Sequence, residues 1–494
     1  MINTLKKLTA FIIAIIILLS GCSYGSYVQT SATVSTDVLT VTNPGTSEGS
    51  ETAGTGTGNS GTSGSNTAGT DTNSSQTTEA SGLCNAGDVE SDINSKDLSE
   101  DVELTKNAER KDQTEKDKLI ETVETDVPGD DAYVDKLAET YNTKLPAEIV
   151  SNIKYSKYPV ASDYLLIKVS SANIREFPNS KAKIVGQAGY FEKITVTALV
   201  YGEKSDKYKT DKWYKVVFKK GTGTVQGYIL SSLADLRTFQ FGKMYTAITA
   251  LKAEVDINKT AFINNYKNRS GTPPLFKGKT IDSYGILRYQ AAPAYVKADA
   301  KSDFRYIPDG TLVSITGQTG TFYKIRTLNF KGEYFVPKQY LSFSNSIDKL
   351  TKVIVVDRKN QNEGVFEYIN GKWNIISYTY ATTGELAKYK EPTPLGYYMA
   401  IQKRDKFMYL DDVTKKVSGY APYAIRFSGG AYVHGVPVDV KIENGVSVFP
   451  PMQEYLYTIG TVPRSHKCVR NYTSHALFLY NWIEVGKSSV VVIE

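Results

Sequence analysis

The three histidines of the chain, His434, His466 and His475, lie within 42 residues, and among the three cysteines only Cys468 falls inside that span. A thiol becomes a useful nucleophile as thiolate, and cationic or proton-accepting neighbours favour that form. In Ser465-His466-Lys467-Cys468-Val469-Arg470 an extended backbone would set His466, Cys468 and Arg470 on one face by the two-residue period. The reading is nucleophilic catalysis at Cys468. The chemical rival is a metal site, since His434, His466, Cys468 and His475 are all side chains that zinc accepts. His-x-Cys is not a common closed-zinc spacing and no carboxylate completes a hydrolase motif, so neither a metal nor a cofactor is expected. His475, just before Leu477-Phe478-Leu479-Tyr480, is expected as a packed or capping residue.

A lone thiol in a folded domain means most if the domain works where cysteines are usually paired or omitted. Lys6 and Lys7 precede an apolar run, Phe11 to Leu19, too short to span a bilayer comfortably. The run ends in Leu19-Ser20-Gly21-Cys22, which resembles the lipobox of bacterial lipoproteins and would put diacylglycerol on Cys22. Cys84 lies in a low-complexity tract, so a bridge to Cys468 is an alternative without geometric motive, and Cys468 is read as a lone thiol. Charge is divided along the chain. Residues 1–150 hold 10 Lys and Arg against 24 Asp and Glu, and the remainder holds 48 against 28. A cationic body on an acidic tether suits work beside an anionic polymer or membrane. Export sets nucleic acid aside as a partner. The expected location is the outer face of the cytoplasmic membrane, facing the wall.

The elements that must hold these residues begin late. After a signal peptide at 1–21, residues 22–98 are rich in Ser, Thr and Gly and bury too little apolar surface to order themselves. As a coil this tether would reach roughly 50 Å on average. Residues 99–160 are densely charged and are expected to be helical or disordered. From 161 to 240 short alternating apolar runs separated by turn residues signal a small barrel. Within it, Ser171-Ala172-Asn173-Ile174-Arg175-Glu176-Phe177-Pro178, Trp213-Tyr214-Lys215-Val216 and Gly227-Tyr228-Ile229 resemble a bacterial SH3-type domain. A degenerate second copy, with its linker, is placed at 241–347, because Phe322-Tyr323-Lys324-Ile325 and Gly332-Glu333-Tyr334-Phe335-Val336-Pro337 echo the closing strands. The resemblance implies wall-binding modules, and the alternative is rigid spacers that pack against the last domain.

Residues 348–494 carry the specific resemblance. Thr393-Pro394-Leu395-Gly396-Tyr397-Tyr398, then Tyr432-Val433-His434-Gly435, then Ser465-His466-x-Cys468-Val469-Arg470 resemble, in order, the motifs of the L,D-transpeptidase catalytic family. The resemblance implies a mainly β chain with a sandwich-like catalytic domain behind the two barrels. It implies an enzyme that cleaves the terminal D-Ala from a peptidoglycan stem tetrapeptide through a thioester on Cys468 and forms 3→3 cross-links. His434 is then the expected general base and acid, with His466 against the thiolate. Backbone N–H groups at Lys467 and Cys468 are candidates for the oxyanion hole. Ser465, Gly435 and Arg470 are expected around the oxyanion or the substrate, Arg470 ordering the loop or meeting a carboxylate. The alternatives are an L,D-carboxypeptidase using the same site and a non-catalytic wall-binding lipoprotein. The family has Gly where Lys467 stands, so a left-handed backbone there is disfavoured. The stretch from His434 to His466, with Phe449-Pro450-Pro451 and Tyr455-Leu456-Tyr457, is longer than in the family and is read as a lid or acceptor groove.

Overall fold

The computed structural model describes residues 101–108, 134–411 and 414–494. The expected signal peptide, the lipobox with Cys22, the tether and Cys84 lie outside the described residues. The described part of the chain is mainly β, as its many Tyr, Val and Ile and its frequent turns require.

Two barrels share one strand order. The first runs Ile184–Gly189, Ser171–Arg175, Gly223–Leu230, Thr210–Lys220, Lys193–Ser205, Asp163–Ile167 and Ala234–Thr238 across its sheet. The second runs Phe304–Pro308, Ala291–Tyr295, Phe330–Pro337, Phe322–Thr327, Leu312–Thr319, Thr260–Ile263 and Leu341–Ser342. Element for element the chain order is the same, down to a short 3-10 turn before the last strand, Ser231–Leu233 in one and Lys338–Tyr340 in the other. Separate cores fill them, Leu165, Ile174, Val196, Val216 and Ile229 in the first and Ala261, Ala292, Ile307, Ile325 and Val336 in the second.

The last domain sets two sheets face to face. A six-stranded sheet is ordered Ile149–Ser151, Lys372–Tyr380, Asn362–Ile369, Lys352–Asp357, Ser488–Ile493 and Gly396–Met399. Its central strands read Val-Ile-Val-Val and Val-Val-Val-Ile because both faces are buried. Ile354, Val356, Val490 and Val492 point to the second sheet and pack with Ile425, Phe427, Val433 and Val469. Val353, Val355 and Val491 point the other way, onto Met244, Ile248, Leu251 and Val255 of the helix Phe241–Ile257. The second sheet is formed by Gln402–Leu410, Val417–Ser428, Ala431–His434 and Val469–Arg470, with the short strand Val438–Asp439 pairing beside Val417–Ser428.

Two differences from the sequence reading follow from tertiary pairing. The segment 99–160, expected to be helical or disordered, is helical at 101–108 but supplies two strands. Lys136–Thr140 pairs antiparallel with Lys193–Ser205, and Ile149–Ser151 extends the six-stranded sheet in parallel beside Lys372–Tyr380. Its charges did not prevent this, because edge strands leave side chains in solvent. Second, the linker within 241–347 is a 17-residue helix that covers one face of the six-stranded sheet.

The second barrel is fixed to the last domain by a buried ion pair. Arg426 Nη1 lies 2.7 Å from Asp309 Oδ2, which also accepts the Gly429 N–H at 3.0 Å. Gly310, at φ 80°, fits so tightly that a Cβ there would meet the Phe427 carbonyl oxygen at 1.8 Å.

Candidate active site

Strand pairing sets the segment that ends at His434 against the segment that follows Cys468. Ala431–His434 and Val469–Arg470 run parallel, with Val433 opposite Val469 and His434 opposite Arg470, and the Asn471 N–H donates to the His434 carbonyl at 2.8 Å. Cys468 therefore enters the sheet one residue before the strand that lies against the histidine strand. Both side chains are fully buried. The thiol faces the Gly430 carbonyl at 3.7 Å and sits among Phe407, Tyr409, Ala421, Ala424 and Tyr432.

The tautomer of His434 is set by its neighbour. Nδ1 lies 2.6 Å from the Gly435 carbonyl, which can only accept, so Nδ1 carries the proton and Nε2 keeps its lone pair. Nε2 is buried and has no hydrogen-bond partner among the described residues. Burial pushes the His434 pKa down to about 3, against the Gly435 bond and assisted by the Arg470 charge. At neutral pH this is an uncharged imidazole with a vacant basic nitrogen, the state a general base requires.

The loop before the cysteine does not form the extended run that the two-residue period suggested. Lys467 holds φ 64°, and the strand begins only at Val469. His466 consequently turns to Glu391, with Nε2 3.6 Å from its carboxylate, while Arg470 is buried against Asp101. Lys467 keeps a left-handed backbone without being glycine because Glu391 holds it twice. The Lys467 N–H donates to the Glu391 carbonyl at 2.8 Å, and its ammonium lies 2.9 Å from the Glu391 carboxylate. Burial alone would raise the Glu391 pKa, but His466 and Lys467 hold it below the ordinary carboxylate value. Gly384 completes the clamp, since a Cβ there would meet the Glu391 carbonyl oxygen at 2.5 Å and the Lys467 nitrogen at 2.6 Å.

The N–H groups considered for an oxyanion hole are engaged in this arrangement. Lys467 donates to Glu391, and Cys468 donates to the His466 carbonyl at 2.8 Å. Gly435 donates to the Pro422 carbonyl at 2.8 Å and packs where a Cβ would strike Pro422 and Thr473. Ser465 is structural in this geometry, its hydroxyl donating to the Cys468 carbonyl at 2.6 Å. The Thr393 hydroxyl reaches the same carbonyl at 3.3 Å and receives the Gly384 N–H at 2.8 Å. Thr393 opens the Thr393-Pro394-Leu395-Gly396 motif, but spacing alone does not reveal this role.

Arg470 is 2% exposed and bonds Asp101 at 2.7 Å. The same aspartate lies 2.6 Å from Arg464 Nε. Asp439, whose side chain accepts from Tyr409 at 2.9 Å, has its pKa pushed up to about 6 by burial, against the Tyr409 bond and the nearby Arg470 charge. Asp101 and Glu391 were missed from the sequence because each arrives from a distant segment, and Arg464 and Asp439 because, although near the motifs in the chain, nothing in their spacing marks them.

His475 belongs elsewhere, in the helix Thr473–Trp482. Its Nε2 lies 2.8 Å from Ser377, and its Nδ1 lies 2.6 Å from Asn471 and 3.2 Å from Glu363. Ser377, His475 and Glu363 have the composition of a hydrolytic triad, but all are fully buried and Tyr155 lies over the imidazole at 4.7 Å between ring centroids. This network ties helix to sheet, as the packed-residue reading expected. Among the described residues no group of three or more His, Cys, Asp and Glu is placed to hold a metal ion, so the four-ligand alternative is not assembled. The stretch between His434 and His466 divides in two. Lys441–Glu443 and Val446–Val448 form a projecting hairpin with Ile442 and Val446 exposed, while Leu456 and Ile459 pack with Val436 and Tyr472.

Residues 351–493 match the L,D-transpeptidase catalytic domain family, and residues 170–234 match the bacterial SH3 domain family. No curated protein matches the chain. Among solved structures, the chain is similar to an L,D-transpeptidase from Mycobacterium smegmatis at 18% identity, covering 37% of this chain and 82% of that one with a TM-score of 0.24. An L,D-transpeptidase from Mycobacterium tuberculosis H37Rv gives 20% identity, 37% and 77% coverage and a TM-score of 0.23. A fused Zn-dependent amidase/peptidase/peptidoglycan-binding domain-containing protein from Clostridium acetobutylicum gives 18% identity and a TM-score of 0.20; the match spans 29% of this chain and about half, 52%, of that one.

Proposed function

We propose, for a chain that carries an L,D-transpeptidase catalytic domain behind a bacterial SH3 domain, that Cys468 is the nucleophile of a peptidoglycan L,D-transpeptidase and His434 its base. The observation that supports this reading is the pairing of the His434 strand with the strand that begins one residue after Cys468, together with a buried thiol and a buried, neutral imidazole whose Nε2 has no partner among the described residues. In the proposed reaction His434 Nε2 takes the Cys468 proton. The thiolate attacks the carbonyl joining the third stem residue to the terminal D-Ala, and the C–N bond breaks as His434 returns the proton to the leaving amine. The side-chain amine of a neighbouring stem's third residue then attacks the thioester, gives its proton to His434 and releases Cys468, leaving a 3→3 cross-link. Water in place of the amine would give L,D-carboxypeptidation. Glu391 and Gly384 position the nucleophile turn, and the oxyanion hole at Lys467 and Cys468 requires that turn's backbone bonds to rearrange as substrate enters.

The same proposal includes the lipid at Cys22, which would tether the catalytic body to the outer face of the cytoplasmic membrane with its stem-peptide substrates in reach. Incubating the chain with a disaccharide-tetrapeptide and reading products by mass spectrometry tests the reaction. D-Ala release with dimer, absent in Cys468→Ala, is the expected result, and release without dimer identifies the carboxypeptidase. No change with either protein would leave a wall-binding lipoprotein.

A further inference from the structure

The catalytic centre is closed. Cys468, His434, Ser465 and Arg470 are all buried, so a substrate carbonyl reaches the sulfur only after something moves. Residues 101–108 come from the far N-terminal side of both barrels and yet bury two polar side chains in the catalytic domain, Asp101 at 0% and Thr105 at 8% exposure. Asp101 lies between two guanidinium groups, Arg470 two residues after the nucleophile and Arg464 four before it. The Thr105 hydroxyl accepts the Tyr457 N–H at 2.9 Å. Val102 packs onto the cluster of Val436, Leu456, Ile459 and Tyr472, of which Val436 lies two residues after His434 and Tyr472 four after Cys468. The helix also forms one wall of a cleft of about 540 Å³, with Pro437, Asp439, Lys441 and Pro450 opposite.

We propose that Arg464 and Arg470 form a recognition site for a carboxylate of the donor stem peptide, and that Asp101 fills it in cis, so that helix 101–108 holds the enzyme latent until substrate displaces it. The inference rests on the reading of Cys468 as the nucleophile of a stem-peptide enzyme. Its chemistry follows from the substrate. The terminal D-Ala carboxylate lies one residue from the carbonyl under attack, and Arg470 lies two residues from the attacking sulfur, at most roughly 7 Å along the chain. A guanidinium pair offers planar donors that suit carboxylate oxygens. Buried charges cost several kcal/mol each unless paired, so the arginines require a carboxylate partner, and an exchange of Asp101 for a substrate carboxylate keeps them paired. The apparent affinity for substrate is then lowered by the fraction of molecules in which the helix is docked.

The test uses the full chain and the alkylation rate of Cys468 by iodoacetamide, read by peptide mass spectrometry with Cys84 as the internal reference. Asp101→Asn weakens the pairing directly, and Thr105→Ala removes the Tyr457 contact without touching either arginine. The expected result is a tenfold or larger rise in Cys468 alkylation in both variants, with Cys84 unchanged, and reversal of that rise by a synthetic peptide spanning residues 97–110 added in trans. Rates within twofold of the parent in both variants overturn the proposal. A rise that the peptide does not reverse also overturns it, because it marks a damaged site rather than an emptied one. Alkylation needs no substrate, so the failure of the transpeptidase reading would appear separately, as an unmasked thiol with no D-Ala release.

Discussion

Lys467 and Glu391 are joined at two points, backbone N–H to carbonyl at 2.8 Å and ammonium to carboxylate at 2.9 Å, and between them they hold the residue before Cys468 at φ 64°. A left-handed residue other than glycine costs roughly 1–2 kcal/mol, and a partly exposed ion pair returns about 0–1 kcal/mol. Lys467→Gly should therefore leave stability within about 1 kcal/mol and D-Ala release within a few-fold. Lys467→Val, with a β-branched side chain at positive φ, should cost about 1–3 kcal/mol and slow turnover. Gly384→Ala should act like the valine, by pushing Glu391 and Lys467 apart. Thermal midpoints and turnover of the variants check all three.

His434 should govern both rate and acid behaviour. Replacing it with Gln is expected to lower kcat about 10²–10⁴-fold. Its folded pKa of about 3 lies below the ordinary 6.5, so the unfolded chain binds this proton more readily. The stability it contributes is present above about pH 6.5 and is lost as pH falls towards 3. In the Gln variant the thermal midpoint should fall less steeply across that window, and the acid limb of kcat/KM in the parent should not be centred near 6.5.

Asp439 acts in the opposite direction. Its pKa is raised from 3.8 to about 6, so between those values the folded chain holds a proton that the unfolded chain has lost. Its contribution is therefore full below about pH 3.8 and is lost as pH rises through 6. Comparison of the thermal midpoints of Asp439→Asn and the parent from pH 4 to 7 should show the parent losing ground relative to the variant as pH rises.

Asp309 lies in the second barrel but pins the turn of the catalytic domain that ends at Gly430, whose carbonyl faces the thiol. Asp309→Ala leaves Arg426 buried without its carboxylate and should cost about 3–5 kcal/mol. It should also slow Cys468 acylation in the molecules that remain folded at low temperature. An acylation rate equal to that of the parent would show that the barrel is only a spacer.

Where sequence periodicity acts locally, the chain was legible. The closing strands of both barrels, the ordered motifs around His434 and Cys468 and the packed setting of His475 were all readable from residue types and spacing. The helix Phe241–Ile257 also carried its signal, with Phe241, Met244, Ile248, Leu251 and Val255 at helical spacing, but the surrounding strand pattern masked it. The opening strand of the second barrel was weak because Ala292 and Ala294 fill positions where the first barrel has Ala172 and Ile174. The turn at Lys467 was misjudged, since propensity weighs one residue and Glu391 arrives from 76 positions earlier. The same holds for Asp101, 369 positions from Arg470, whose contact only the tertiary fold creates.

The central claim is that Cys468 carries the acyl group. The direct measurement is an acid-quenched reaction of the chain with stem tetrapeptide, digested and mapped by mass spectrometry. The account predicts a stem tripeptide joined to Cys468 as a hydroxylamine-labile thioester, formed at the rate of D-Ala release. D-Ala release from a protein whose Cys468 stays unmodified at every quench time, or release that persists in Cys468→Ala, would contradict it.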